Sequence, residues 1–253
     1  MEHTGILFSL AVVAALYGSV GHGGASGYLA ILSLTSLATQ GAIWLKPHAL
    51  ILNLVVASLA LLHYGRKGYF DYQLIWPFAI ASIPFAYIGA YLPVVDWLFD
   101  TLLSFTLLWA AWRLLKINRA NQTEITSPSV STGLLTGAGL GFASGLVGVG
   151  GGIFLSPLLI LKNWATAKIT AAVSAFFILV NSIAALGGSF LSDQAVLDKD
   201  LISQFILAVL IGGFIGTRFG AEKADENIIR KLLAIVLVFA AARQILGLLG
   251  VWL

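Results

Sequence analysis

Two glycine-rich stretches, Gly18-Ser19-Val20-Gly21-His22-Gly23-Gly24 and Gly145-Leu146-Val147-Gly148-Val149-Gly150-Gly151-Gly152, interrupt long apolar segments. A constant 127 positions separates Gly18 from Gly145, Gly21 from Gly148 and Gly24 from Gly151. A membrane helix tolerates an isolated glycine, but three or four within about seven residues unwind it and bare backbone groups that lipid cannot satisfy. Such backbone has to line space enclosed by protein. Gly-interrupted apolar segments at corresponding places in two halves of a chain are the sequence pattern that points to a carrier's binding site.

The surrounding composition fixes the solvent. Hydrophobic residues make up 59% of the 253 and charged ones 10%, against roughly 45–50% and about 25% in soluble domains. Apolar runs long enough to cross a hydrocarbon core of about 30 Å recur from residue 6 to the C-terminus. The alternation expected of barrel strands is absent, so the fold class is all-α, a polytopic membrane protein. Residues 6–16 resemble the apolar core of a signal peptide, but Glu2 and His3 supply no positive leader, and the segment is read as retained structure. There is no cysteine, which removes thiolate chemistry, disulfides and Cys-ligated metal. The 14 Lys and Arg residues are scattered at helix ends rather than clustered, which points to topology and away from nucleic acid.

The hydropathy pattern predicts a broken segment at 6–38 with spans at 48–64, 74–92 and 98–114, then a broken segment at 133–161 with spans at 169–190, 201–217 and 229–250. This makes 1–253 a single transmembrane domain of two repeats, 5–118 and 131–253. Gly89 and Gly216, Ser58 and Ser182, and Arg113 and Arg243 extend the match at nearly the same offset.

The positive-inside rule decides how the broken segments run. If each crosses once, the positive residues divide almost evenly between the two faces. If each is a hairpin, Arg66, Lys67, Arg113, Lys116, Arg119, Lys162, Lys168, Arg218, Lys223, Arg230 and Lys231 share one face, leaving Lys46 and Lys199 on the other. The second arrangement is expected: inverted halves, both termini periplasmic and hairpin arms of about 15 residues, or about 22 Å, whose tips meet near the midplane.

A helix that starts in a glycine-rich turn presents free N–H groups and a positive dipole end. Neither hairpin carries Asp, Glu, Lys or Arg at its tip, so the expected ligand is a small anion held by dipoles and hydrogen bonds. Gly21, Gly23, Gly24, Gly148, Gly150, Gly151 and Gly152 supply the backbone of the expected substrate site. His22 is the ionisable side chain at the tips, able to gain charge with a bound anion or to carry a proton. Ser19, Ser26 and Ser144 supply hydroxyl donors, or serve as small residues at helix contacts. Asn53 and Asn181 either line the cavity or bridge helices. Tyr17 and Tyr28 flank the first tip. Trp44, Trp76, Trp97, Trp164 and Trp252 are placed as interfacial aromatics, and His63 with Arg66 and Lys67 at a cytoplasmic helix end.

The paired motifs, Gly18-x-x-Gly21-x-Gly23-Gly24 and Gly145-Leu146-Val147-Gly148-Val149-Gly150-Gly151-Gly152-x-x-Leu155-x-Pro157, resemble the signatures of the TauE/SafE sulfite exporter family. The first copy carries His22 and Ala25 where the second has Val149 and Gly152. The resemblance covers nearly the whole chain and implies export of sulfite or small organosulfonates across the bacterial inner membrane. The alternatives in view are an anion channel and uptake of another small anion by the same fold. An intramembrane enzyme is disfavoured, since the spans hold no acidic pair and no metal-ligand spacing. The glycine run lacks the strand and the Gly-Lys-Ser/Thr ending of a phosphate loop. Neither cofactor nor metal is called for; the expected partners are the anion and the lipid bilayer, and a homo-oligomer is compatible with them.

Overall fold

Uncharged stretches of Leu, Ile, Ala and Val must close their backbone hydrogen bonds internally, and in this chain they do so as helices. The computed structural model describes residues 2–92, 112, 125–193 and 195–248, and there is no strand among them. The chain runs through α1 (Glu2–Gly18), α2 (Ala25–Ser33), a 3-10 turn (Ser36–Gln40), α3 (Ala42–Arg66) and α4 (Tyr72–Tyr91). It continues as α5 (Val130–Val147), α6 (Gly152–Leu161), α7 (Ala167–Leu191), α8 (Lys199–Arg218), a π turn (Phe219–Lys223) and α9 (Glu226–Leu248). Apart from Trp112, the expected span at 98–114 lies outside the described residues. Trp97, Arg113, Lys116, Arg119, Trp252 and the side chain of Arg243 lie outside them too.

Both broken segments are hairpins. In the first, α2 folds back along α1, so that Ser26 Oγ lies 3.0 Å from the Tyr17 hydroxyl. The N-terminal end of this hairpin meets α8, where His3 Nε2 lies 2.7 Å from Gln204 Oε1, and the loop before α8 meets the start of α3, where the Val196 N–H donates to the Ile43 carbonyl at 3.0 Å. In the second hairpin the Thr126 N–H, just before α5, donates to the carbonyl of Asn163, just after α6, at 3.1 Å. The returning arms are shorter than expected, 9 residues for α2 and 10 for α6, or about 14–15 Å each. The first arms reach 17 and 18 residues. The arm α2 gives way at Leu34 to a turn and the 3-10 segment, and α6 gives way at Lys162 to a turn in which Asn163 takes a left-handed φ of 55°.

Helix packing follows the small residues. On α5, Gly137, Gly141 and Gly145 recur every fourth position, and a Cβ at any of them would overlap the backbone of Phe78, Ser82 or Ala86 on α4. On α8, Gly212 and Gly216 lie in the same way on the Ala11 and Ala15 carbonyls of α1. This is the close backbone approach that drives helix association where lipid leaves no hydrophobic difference between packed and unpacked. The contact of Gly216 with Ala15 has a counterpart 127 positions away in each partner, where Gly89 meets the Phe142 carbonyl. Thus the first arm of each hairpin packs against a helix from the other half of the chain. Between these pairs, α3 and α7 run against one another through the centre.

Ser58 and Ser182 are not counterparts. Ser58 is exposed on α3 and bonds its own helix at the Leu54 carbonyl, whereas Ser182 is buried on α7. The 25-residue helices α3 and α7 instead align Ala42 with Ala167, a shift of 125, which pairs exposed Ser58 with exposed Ile183. Trp44, in the first turn of α3, faces protein rather than lipid, being 4% exposed and stacked at 3.7 Å on the His48 ring. The outward faces are apolar, with Phe8, Leu135, Leu207 and Ile211 each more than half exposed, as lipid contact requires.

Polar groups gather at the helix ends. Asp71, Ser129, Thr166 and Asp198 accept backbone N–H bonds as N-caps of α4, α5, α7 and α8. Glu226 accepts from the Ala167 N–H at 2.6 Å at the positive end of α7. Lys67 and Arg218 flank Glu222 at 3.5 and 3.1 Å.

Candidate functional site

The tips share one backbone design. After α1 the His22 N–H returns to the Tyr17 carbonyl at 2.9 Å, and after α5 the Val149 N–H returns to the Ser144 carbonyl at 3.4 Å. These four residues are related by the same 127 positions. The next helices then begin at Gly24 (φ 99°) and Gly151 (φ 80°), left-handed N-caps that a side chain would strain and that carry no side-chain cap. Every residue from Gly18 to Gly24 and from Val147 to Ile153 is buried, so both tips are closed off from solvent.

Asn53 stands between the tips. Its Oδ1 accepts the Ala25 N–H at 3.1 Å, and its Nδ2 donates to Ser182 Oγ at 2.9 Å. A Cβ on Gly23 or on Gly150 would overlap the same amide. Asn53 therefore bridges α2, α7 and the second tip. Asn181 does not join it: its Nδ2 donates to the Phe177 carbonyl of its own helix at 2.8 Å, while Oδ1 is buried and unpartnered.

His22 reaches across to the other half. Its Nδ1 lies 3.1 Å from the Val20 carbonyl and its Nε2 lies 3.2 Å from Ser156 Oγ, which is itself 2.7 Å from Ser174 Oγ. A carbonyl only accepts, so Nδ1–H donates to Val20 and Nε2 of the neutral ring accepts from Ser156, which leaves Ser174 as the donor to Ser156. Gly152 lies beside the same ring, a Cβ there falling 3.4 Å from His22 Cδ2.

The serines divide. Ser19 donates to the Leu16 carbonyl at 2.6 Å and Ser26 pairs with Tyr17, so both hydroxyls are engaged locally. Ser144 Oγ is fully buried without a partner, 3.2 Å from the place of a Cβ on Gly151. The Tyr28 hydroxyl is likewise buried without a partner, 2.7 Å from the place of a Cβ on Gly24. Each of these glycine-led helix starts thus has one orphan hydroxyl beside it. A buried hydroxyl with no partner is costly, about 1–3 kcal/mol, and both point at the helix starts where oxygen acceptors would be welcome.

Ser156, Ser174 and Ser182 were not foreseen, although Ser174, Ile178 and Ser182 recur every fourth residue in an otherwise apolar helix and so share a face. No group of three or more His, Cys, Asp or Glu that could hold a metal occurs among the described residues.

Residues 6–244 match a family model described as "Sulfite exporter TauE/SafE". A protein of Sinorhizobium fredii described as "Probable membrane transporter protein y4hK" is 32% identical over 246 residues, 96% of this chain and 98% of that protein. No solved structure matches the chain.

Proposed function

Because the chain belongs to the sulfite exporter TauE/SafE family of membrane transporters, we propose that it exports a small sulfur-containing anion, sulfite or a short organosulfonate, across the bacterial inner membrane. The substrate is held between the two glycine tips. One observation carries this reading: beside each of two buried helix starts, at Gly24 and Gly151, lies an unpartnered hydroxyl, from Tyr28 and Ser144, and only the first N–H of α2 is already taken, by Asn53 Oδ1. Helix starts and hydroxyl donors suit the oxygens of an anion, and no carboxylate lies at either tip to repel one. The remaining expected contacts come from the backbone of Gly21, Gly23, Gly148, Gly150 and Gly152. His22 and Asn53 hold the tips in register.

The mechanism is alternating access between two inverted repeats, 5–118 and 131–253, with both termini periplasmic. The exchanged contacts Gly216–Ala15 and Gly89–Phe142 support a two-fold relation of the halves. Closure of both tips favours a carrier over an open pore. Movement then takes place along the α3–α7 seam, because the backbone-tight pairs α1–α8 and α4–α5 resist sliding.

Flux of sulfite and short sulfonates into proteoliposomes tests the site with Tyr28→Phe and Ser144→Ala. Both remove a hydroxyl that bonds nothing else in the protein, so folding is preserved. Each variant is expected to raise KM roughly tenfold, as loss of one hydrogen bond to a charged ligand does. Unchanged KM in both would overturn the site, and absence of saturation or counter-transport would overturn the carrier.

A further inference from the structure

On the outer surface of the bundle, Leu59 of α3 and Leu210, Ile211, Phe214 and Ile215 of α8 line an open groove of about 380 Å³. By the same measure one water needs about 10–15 Å³, so this is room for a chain of methylenes along an apolar floor. The groove exists because α8 has Gly213 where it crosses α3. With no side chain there, Val56 and Leu59 come within 3.0 and 3.3 Å of the place of a Cβ, and the two helices close up beneath the exposed Ile211, Phe214 and Ile215.

One end of the groove is cationic. There the Phe214 ring meets the His63 ring edge-on at 5.2 Å, and His63 Nδ1 lies 2.7 Å from Thr217 Oγ1. Arg66 follows Leu59 by seven positions, and Arg218 follows Ile211 by seven. Seven residues are nearly two turns, so each arginine returns to the groove side of its helix about 10 Å along. The charges of Arg66, Arg218 and Glu222 all act on the His63 ring, which places them together. Glu222 is shared by Arg218 and Lys67, so three cations meet one carboxylate. The next acids are engaged elsewhere, Asp225 with the Ile228 N–H and Glu226 with the Ala167 N–H. Membrane orientation asks for positive residues at one end of a helix, but not for both arginines to stand over one groove.

The other half of the chain builds the same helix pair without the cations. The 125-residue shift between α3 and α7 puts Leu191 in the place of Arg66, and the 127-residue shift between α4 and α8 puts Tyr91 in the place of Arg218.

We propose that the groove binds one anionic phospholipid, phosphatidylglycerol, with an acyl chain along Leu59, Ile211 and Ile215 and the phosphate between Arg66 and Arg218. Guanidinium groups meet a phosphate with paired N–H donors, and basic pockets between transmembrane helices take anionic head groups. A soluble oxyanion has no use for the apolar floor. The lipid fastens α3 to α8, whose other face already lies on α1. This site is independent of which anion the chain carries.

The full chain in detergent, titrated with dioctanoyl phosphatidylglycerol and read by native mass spectrometry, tests it. Binding is expected to be about fivefold tighter, or more, than that of dioctanoyl phosphatidylethanolamine. Arg66→Gln and Arg218→Gln each weaken it about fivefold and together erase the preference. Glu222→Gln, which removes the competing carboxylate, tightens it. Ile211→Trp fills the groove with both arginines in place and weakens both lipids. All four side chains are exposed, so these variants fold. Equal affinity for the two lipids, or arginine variants that bind like wild type, overturns the proposal. Weakening by Glu222→Gln also overturns it, since the arginines would then act through their ion pairs. Undiminished binding by Ile211→Trp, or displacement of the lipid by an equal concentration of glycerol 3-phosphate, would reduce the site to a surface for any anion and overturns the groove.

Discussion

The two glycine tips have the same backbone path but different neighbours. Gly21 abuts the Ala171 carbonyl, Tyr64 OH donates to the Ser19 carbonyl at 2.6 Å, and His22 is tied to Ser156. The first tip is thus wedged by main chain and fastened by polar side chains. At the second tip Val149 replaces the histidine, and the atoms nearest to a Cβ on Gly148 are those of the flexible Lys46 stem. The difference teaches that a repeated motif can be wedged by main chain at one position and met by a flexible side chain at its counterpart.

The sharpest way to break this comparison is alanine at matched positions. Gly21→Ala is expected to abolish recovery of folded protein from membranes, because the new Cβ overlaps backbone that cannot yield. Gly148→Ala has nearly the same φ, 75° against 76°, so it carries the same left-handed strain of about 1–2 kcal/mol. There the nearest atom is Lys46 Cγ at 3.3 Å, and folded protein with a lowered thermal midpoint is expected. Similar recovery of the two variants would remove the distinction between the tips.

Asn53→Ala comes next, since it leaves both the Ala25 N–H and the Ser182 hydroxyl without their partner. At about 1–3 kcal/mol for each buried group left unsatisfied, it should lower the thermal midpoint more than Asn181→Ala, which breaks one bond within its own helix. The reverse order would mean that Asn53 does not hold the tips together. His22→Gln is expected to reduce flux several-fold while leaving its dependence on an imposed pH gradient unchanged, because both ring nitrogens already have partners at Val20 and Ser156. Loss of that dependence would make His22 a proton carrier instead. Smallest of all, Lys67→Ala removes a half-exposed partner of Glu222 far from either tip, and a thermal midpoint indistinguishable from wild type is expected. A clear drop would show that the ends of α3 and α8 matter more than the tips.

The hairpins were legible because clustered glycine breaks a membrane helix whatever surrounds it, and because the positive residues favoured one arrangement of the segments. The spans at 48–64, 74–92, 169–190, 201–217 and 229–250 fall on α3, α4, α7, α8 and α9, since hydropathy alone sets their existence. The facing of individual side chains was not legible. Ser19 and Ser144 both sit by a glycine tip, yet Ser19 bonds back to Leu16 while Ser144 has no partner, a difference of rotamer and packing that composition does not encode. Lys46 counted only as a charge on one face, because its approach to Gly148 depends on how α3 crosses α5. The match of Ser58 with Ser182 failed for a related reason: a shift of one residue turns a helical position by about 100°, enough to exchange a buried face for an exposed one.

The glycine ladders have a last consequence. The arm α1 lies on α8, and α5 on α4, so each half supplies the groove that the other half's first arm fills. Cut into two polypeptides, neither half could satisfy its own small-residue surface, and the two fragments would have to find one another before either was complete.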